Sequence, residues 1–561
     1  MNKNILLVSL IVSCASGCGG AATPNSSSAP TSSSSVAISS TSSTPISSSS
    51  ALISSSSRAP VSSISSLSSA PMSSSSASTA DNSMACAALV TDQNTNWNES
   101  GLASDQAIVK CLSDTLGKPI GYGEMAMGGY NPAGDSHLVV IKKNTGVLPE
   151  KQFLDAINST AHNWIVFDKD DYKNGGDIAM YRLYCDDVKV LTALGGASKA
   201  ECLDHTLWCS NRAISDEAVC NKTFFTEKLN DATLPIRAEM INSNTTIDGR
   251  GAKARILFQG FRVGADAEGV STVAAQSVII THMLFQGAFH EEDHGLDPDL
   301  LRITGESHDI WVHKNSFKYS GDSAFDVKVG AYDVTFSFNK IVDVVRTSLH
   351  GSTDGRVVNA NITTTMHNNL FLTSEVFHDT GAPGDKAAGS TGRRTPLIRR
   401  GVSHSFNNVF FNYYKEFASV RVGATLMMED NVFLASDIIK NRKSNIQASF
   451  DEWLTNLTKG IVDDGAFKST NGLVAFTKGN CEIDTAYKGQ LPASIGGVAR
   501  DLKEDYSDKT MAVINKNRFS ADQDLIDYVK ATAGHDGQLS YLSPAAKSRA
   551  QILALPRTPC M

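Results

Sequence analysis

Charge is almost missing from one long stretch of this chain. Between Ala21 and Ala80 only Arg58 carries charge, and the rest is nearly all Ser, Ala, Thr and Pro. Such a segment cannot bury enough apolar surface to offset its conformational entropy, which excludes a folded domain there and makes it a flexible tether. Length is missing from the apolar run ILLVSLIV near the N-terminus, which is too short to cross a bilayer. Several catalytic signatures are missing too. There is no G-x-S-x-G elbow and no H-E-x-x-H, so serine-hydrolase and zincin chemistry have no motif. No C-x-x-C occurs, which argues against a zinc site.

What is present starts with an address. Lys3, the apolar run and Ala15-Ser16-Gly17-Cys18 look like a bacterial lipoprotein signal, cut before Cys18 and lipidated on it. An ordinary secretory signal is the alternative, and both export the protein. Cys14 and Cys18 belong to that signal, leaving Cys86, Cys111, Cys185, Cys202, Cys209, Cys220, Cys481 and Cys560. An even number in an exported chain favours disulfides. Four of them crowd into 185–220 and suggest a stapled surface excursion; nearness in sequence suggests Cys86 with Cys111 and Cys481 with Cys560.

The middle of the chain repeats. IWVHKNSF (310–317), VTFSFNKI (334–341), TTTMHNNLF (363–371), VSHSFNNVF (402–410) and TLMMEDNVF (425–433) each carry an Asn with Phe or Ile two positions later. These are Asn315, Asn339, Asn369, Asn408 and Asn431, and SVIITHMLF (277–285) extends the series with Met283 in the Asn place. One strand plus turns at such a period predicts a parallel β-solenoid. Stacked coils would align the asparagines into a hydrogen-bonded ladder, with the Phe positions in the core. A β-sandwich is the alternative, and the recurring Asn-x-Phe register argues against it. A solenoid offers a long groove suited to a linear polymer.

Acids and arginines gather in the same region. Asp297-Pro298-Asp299 precedes the strand-like LLRI, and Asp322 and Asp326 lie four apart in GDSAFDVKV. If 322–326 is a strand, both aspartates share a face. Stacked coils would then bring three or four carboxylates together, hard oxygen ligands that suit Ca2+; two solvated aspartates and a turn remain the alternative. RRTPLIRRG (393–401) sets four arginines around Pro396 in a chain of formal net charge -8, with Arg346 upstream in DVVRTSLHGS. Arginines beside a carboxylate-bound cation would attract a polyanion that itself carries carboxylates. Nucleic acid fits poorly, because the aspartates would repel phosphate and the chain is exported.

At this point four segments in order resemble the pectate lyases of the pectate lyase/pectin lyase superfamily: GYGEMAMGGYNPAG (121–134), SNTTIDGRGA (243–252), DPDLLRITGESHDIWV (297–312) and RTPLIRRG (394–401). The resemblance implies an all-β fold, a right-handed single-stranded parallel β-helix. It also implies Ca2+-dependent β-elimination of polygalacturonate. It sets Asp299, Asp322 and Asp326 at the calcium-ligand positions, with Asp297 as a fourth. Arg394 stands at the catalytic base and Arg399 at the substrate-binding arginine, the proline fixing the register. Arg346 stands where the family usually has a substrate-binding lysine. An arginine base needs neighbouring cations to favour its neutral form, so an alkaline optimum is expected.

Two further departures stand out. Trp311-Val312-His313-Lys314 replaces the family's W-[IV]-D-H, and Lys314 reads as a surface lysine. The connection 372–393 is longer than usual and Gly-rich, and could cover part of the groove. His313, His350, His367 and His404, in or beside repeat strands, read as packed residues rather than as a general base.

The expected organisation is a signal over 1–17, a linker over 18–82, the β-helix catalytic domain over 83–470, and a partly helical extension over 471–561 that packs on it. The expected protein is exported, monomeric, and anchored at Cys18 or secreted, with pectin polysaccharide as its partner. Two other functions remain open. One is a pectin lyase acting on methyl-esterified chains without calcium; the other is a non-catalytic polysaccharide-binding β-helix.

Overall fold

A computed structural model of the chain describes residues 79–288, 298–375, 393–462, 464–502, 505–539, 542 and 547–561. The expected signal over 1–17, the expected linker up to residue 78, Asp297 and most of the 372–393 connection lie outside the described residues.

Three sheets run the length of the described chain, with eleven, ten and seven strands among the described residues. Each central coil gives one strand to each sheet in turn. His308–His313 enters the first sheet, Ser316–Lys318 the second and Asp326–Val327 the third, before Val334–Ser337 returns to the first. The pairings between successive coils are parallel and in constant register, as in Trp311↔Thr335 and Phe317↔Ile341. Antiparallel strands close the C-terminal ends of the first two sheets, Ser494–Gly496 on Ala466–Thr470 and Glu482–Gln490 on Leu473–Lys478. This is a parallel β-helix.

The asparagine repeat forms the turn from first to second sheet. Asn339 Nδ2 donates to Asn369 Oδ1 at 3.0 Å, and Asn369 Nδ2 donates to Asn408 Oδ1 at 2.9 Å. Each Oδ1 also accepts the backbone N–H of the Asn one coil back, as Asn408 Oδ1 does from Asn369 N at 2.9 Å. Each Nδ2 reaches a second backbone carbonyl, as Asn369 does on Phe336 O at 3.0 Å. A buried amide so saturated costs little to desolvate. The residue before each ladder Asn takes a left-handed conformation, from Lys314 at φ 51° to Asp430 at φ 50°, and swings the chain into the second sheet. The ladder ends at Met283, whose side chain cannot continue it, although its N–H still donates to Asn315 Oδ1 at 2.9 Å. Two positions on, Phe371, Phe410 and Phe433 stack with ring centroids 4.7 and 4.3 Å apart.

Other segments dress the solenoid. The Gly-rich stretch at 121–129 runs as a strap over the first sheet. Its backbone N–H groups donate to hydroxyls on four of the five strands beneath it: Tyr122 to Thr365, Gly123 to Thr335, Met127 to Ser277 and Gly129 to Thr246. The approach is too close for side chains, since a Cβ on Gly129 would lie 2.1 Å from Asn163 O. Residues 180–229 fold into short helices around Trp208, Phe224 and Phe258, stapled by Cys185–Cys202 and Cys209–Cys220. Cys86–Cys111 and Cys481–Cys560 join the remaining cysteines in the pairs that nearness in sequence suggests. The helix Gln523–Thr532 lays Leu525, Ile526 and Val529 on the outer face of the second sheet, against Leu372, Phe411 and Leu434.

Lys314 corrects an expectation. It is not on the surface: it is 2% exposed, and its Nζ donates to Thr532 O at 2.7 Å, under the C-terminal helix. Burial pushes its pKa down to about 7, against a partial counterweight from Asp536.

Candidate active site on the third sheet

The charged residues collect on the third sheet and the turns that feed it. Asp299 precedes the strand Leu301–Ile303, and Asp326 opens the strand Asp326–Val327. Asp322 is not on that strand. It sits in the bend before it, so alternation along a strand is not what aligns it with Asp326. The bend does bring them together: ligand atoms of Asp299, Asp322 and Asp326 all lie within 4.8 Å of one another. All three residues are buried.

Buried carboxylates this close repel one another unless cations compensate. Lys328 Nζ lies 3.2 Å from Asp299 Oδ2 and 2.6 Å from Asp326 Oδ2, the second contact at ion-pair distance without hydrogen-bond alignment. Burial opposes the charge on Lys328, but Asp326 and Asp299 outweigh it and hold the pKa above its ordinary value. Arg302 pairs with Asp299 at 2.7 Å, and Arg346 pairs with Asp322. Sequence reasoning passed over Lys328 and Arg302. The signal was there for Lys328, two positions beyond Asp326 in D-V-K, where alternation returns it to the same face.

The arginines of 393–401 separate by position. Arg346 lies in register between Ser323 and Arg393 of the neighbouring coils. Burial, then Arg394 and Arg393, push the Arg346 pKa down to about 10, so Arg394 stands close to it. Arg394 is half-buried at φ 66°, immediately before the cis Thr395–Pro396 peptide. No ion pair or side-chain hydrogen bond engages its guanidinium among the described residues, unlike Arg346 and Arg399. Arg399 ends the strand Leu397–Arg399, bonds to Asp354 and donates to Gly351 O at 2.9 Å. Arg400 donates to Asp354 O at 2.9 Å.

The histidines are packed. His350, His367 and His404 are at most 3% exposed; His350 bonds Ser348 and Thr364, and His404 bonds Glu429. His313 bonds Ser337 and lies against Trp311, at the far side of the first sheet from the aspartates.

The fold is thus a parallel β-helix that gathers buried aspartates and arginines along one sheet and its turns. A family model described as pectate lyase matches residues 235–513. Pectate trisaccharide-lyase of Bacillus licheniformis is 30% identical over 198 residues, 34% of this chain and 48% of that protein. Pectate lyase 4 of Ambrosia artemisiifolia is 25% identical over 256 residues, 43% of this chain and 59% of that protein. The chain spans about half the length of the curated relatives it matches. Among solved structures, pectate lyase II from Xanthomonas campestris aligns at TM-score 0.42 and 19% identity, over 75% of this chain and 99% of that one. The chain belongs to the pectate lyase superfamily.

Proposed function

We propose that the protein is an exported, calcium-dependent pectate lyase that cleaves α-1,4-polygalacturonate by β-elimination. The observation that carries this reading is the convergence of three buried aspartates with Arg346, beside the guanidinium of Arg394, which is in no ion pair among the described residues. Hard carboxylate oxygens within 4.8 Å of one another fit Ca2+, and Asp299, Asp322 and Asp326 would hold it. Bound there, Ca2+ would supply concentrated positive charge to the carboxylate of a galacturonate unit.

The chain's own residues divide the remaining work. Arg394 takes the C5 proton as the base. The C–H electron pair becomes the C4–C5 double bond, the C4–O4 bond breaks, and the departing oxygen is protonated. Arg346 and Arg399 orient uronate carboxylates through their planar guanidiniums; Arg399 would exchange its contact with Asp354 for one with substrate. The signal over 1–17 would direct export and be removed, and an anchor at Cys18 with the charge-poor segment to residue 82 would hold the monomer away from a membrane, where it reaches a polymer.

The test is formation of ultraviolet-absorbing unsaturated product from polygalacturonate. Product should form with calcium and fall at least about 100-fold under chelator. Arg394→Ala should lose about 1,000-fold, and the optimum should be alkaline. Undiminished activity in Arg394→Ala would sink the base assignment. One observation favours a second reading: Lys328 already bridges Asp299 and Asp326. A lyase for methyl-esterified chains would need no metal, so rapid cleavage of esterified pectin in chelator would replace the first reading with this one.

A further inference from the structure

A second basic cavity lies beside the aspartates, toward the N-terminal coils. It has a volume of about 180 Å3 and is lined by Arg237, Gln259, Phe261, Arg262, Asp299 and Arg302, among others. That is smaller than the 300 Å3 or so of a drug-sized pocket and suits part of one sugar ring. Three guanidiniums face one carboxylate, in a chain whose net charge is -8. Arg302 satisfies that carboxylate, Asp299. Arg237 donates to the carbonyls of Ala232, Leu234 and Ile236, so it is positioned by neutral groups and is in no ion pair among the described residues. Arg262 pairs with nothing among the described residues, and its Nε is buried without a partner. An arginine that served only to neutralise a buried acid would be paired with one.

Gln259 adds an independent observation. It is 7% exposed, yet its Oε1 has no hydrogen-bond partner. An orphaned buried acceptor costs free energy unless something donates to it. Guanidiniums match a carboxylate, and an amide oxygen matches a hydroxyl. A uronate unit offers both.

Register ties the cavity to the reaction. Arg262 pairs with Arg302, and Arg302 with Asp326, across parallel strands. Adjacent strands lie about 4.8 Å apart, so Arg262 stands about 10 Å from the aspartate coil along the solenoid. We propose that this cavity is a distal uronate subsite, in which Arg262 and Arg237 take the carboxylate and Gln259 a hydroxyl of a galacturonate unit beyond those at the aspartates. The subsite makes the protein prefer chains long enough to reach it. The inference rests on polygalacturonate being the ligand.

Calorimetric titration tests it, with trigalacturonate and hexagalacturonate added in calcium buffer to Arg394→Ala and to Arg394→Ala carrying Arg262→Gln. Hexamer affinity should fall about tenfold, the loss of one charge-assisted hydrogen bond, and trimer affinity much less. Arg262→Lys should recover part of the loss, which a merely misfolded variant would not, and thermal melts check folding directly. An equal loss for both lengths, or no loss, overturns the subsite. Length-dependent binding without cleavage by the wild type would sink the lyase reading and keep the subsite. Cleavage with hexamer binding insensitive to Arg262 would do the reverse. Hexamer that fails to bind at all overturns both.

Discussion

Two rows of stacked polar residues run along this solenoid, and they solve burial in opposite ways. The asparagine ladder repeats one neutral group in every coil from Asn315 to Asn431, and each amide both donates to and accepts from its neighbours. The third sheet and its turns instead assemble unlike groups from three successive coils: Asp299 with Arg302, then Asp322, Asp326 and Lys328, then Arg346. The ladder satisfies itself at any length. The charged face balances only as a set, and Arg394 beside it is in no ion pair among the described residues. A stack of identical groups can hold a fold together, but charges able to meet a substrate have to be held in a balance that one substitution changes.

Exchanging the chemistry of the two rows breaks the comparison most sharply. Asn369→Asp puts a lone carboxylate into the ladder, facing Asn408 Oδ1 at 2.9 Å and Phe336 O at 3.0 Å with no cation to meet it. Unfolding free energy in urea should drop by about 3–5 kcal/mol at pH 7. Burial raises the folded-state pKa of such a carboxyl above its unfolded value. The charge penalty is therefore absent below pH 4 or so and grows as pH rises. A deficit equally large at pH 4 and pH 7 would mean lost amide bonds, not charge, are responsible. The reverse change, Asp326→Asn, keeps an Oδ1 acceptor for Leu349 N, now at 2.8 Å, and relieves repulsion from Asp299 and Asp322. Stability should move by about 1 kcal/mol or less, while calcium-dependent lyase activity should drop about 100-fold. A large stability loss with activity retained would show that the acids serve the fold rather than a metal.

The same contrast explains what could be read before any coordinates. The ladder was legible because Asn recurs with Phe or Ile two positions later from coil to coil, although the coils differ in length. Successive ladder contacts span 24, 30, 39 and 23 residues. Repetition survives variable loops. The aspartates were legible by residue type, but the reason given for Asp322 and Asp326 was wrong, since a bend and not a shared strand brings them together. Arg394 and Arg399 were separable only because Pro396 marks the register. Lys328 and Arg302 went unread although Asp326 and Asp299 lie only two and three residues away, because cations beside acids in sequence do not by themselves mark a site; the role of 121–129 as a strap went unread because its hydroxyl partners lie in distant coils. Lys314 was misread for the same reason: what buries it is a helix 218 residues downstream.

Lys314 also lets the comparison be sharpened by a smaller effect. It is a charge-capable group set at the ladder turn, next to a row of neutral asparagines. The groups that face it do not share its titration. Burial holds His282, His313 and His535 below the ordinary histidine range, so they stay neutral above pH 7, and Arg250 is held in an ion pair with Asp248. Folded Lys314 titrates at about 7, whereas a lysine in the unfolded chain titrates near 10.4. Between those values the unfolded chain binds a proton that the folded chain does not. Its contribution therefore makes stability rise as pH goes from 7 to 10. Lys314→Met keeps much of the volume and removes the proton, so that slope should vanish. At pH 7 the variant should gain on the wild type. At pH 10 the wild type should regain the advantage, because its neutral amine still donates to Thr532 O. Calorimetric melting temperatures for both proteins at pH 7, 8.5 and 10, at fixed ionic strength, give the difference directly. A gap that stays constant across that range would mean that Lys314 remains charged beneath the helix, with its charge met by Asp536.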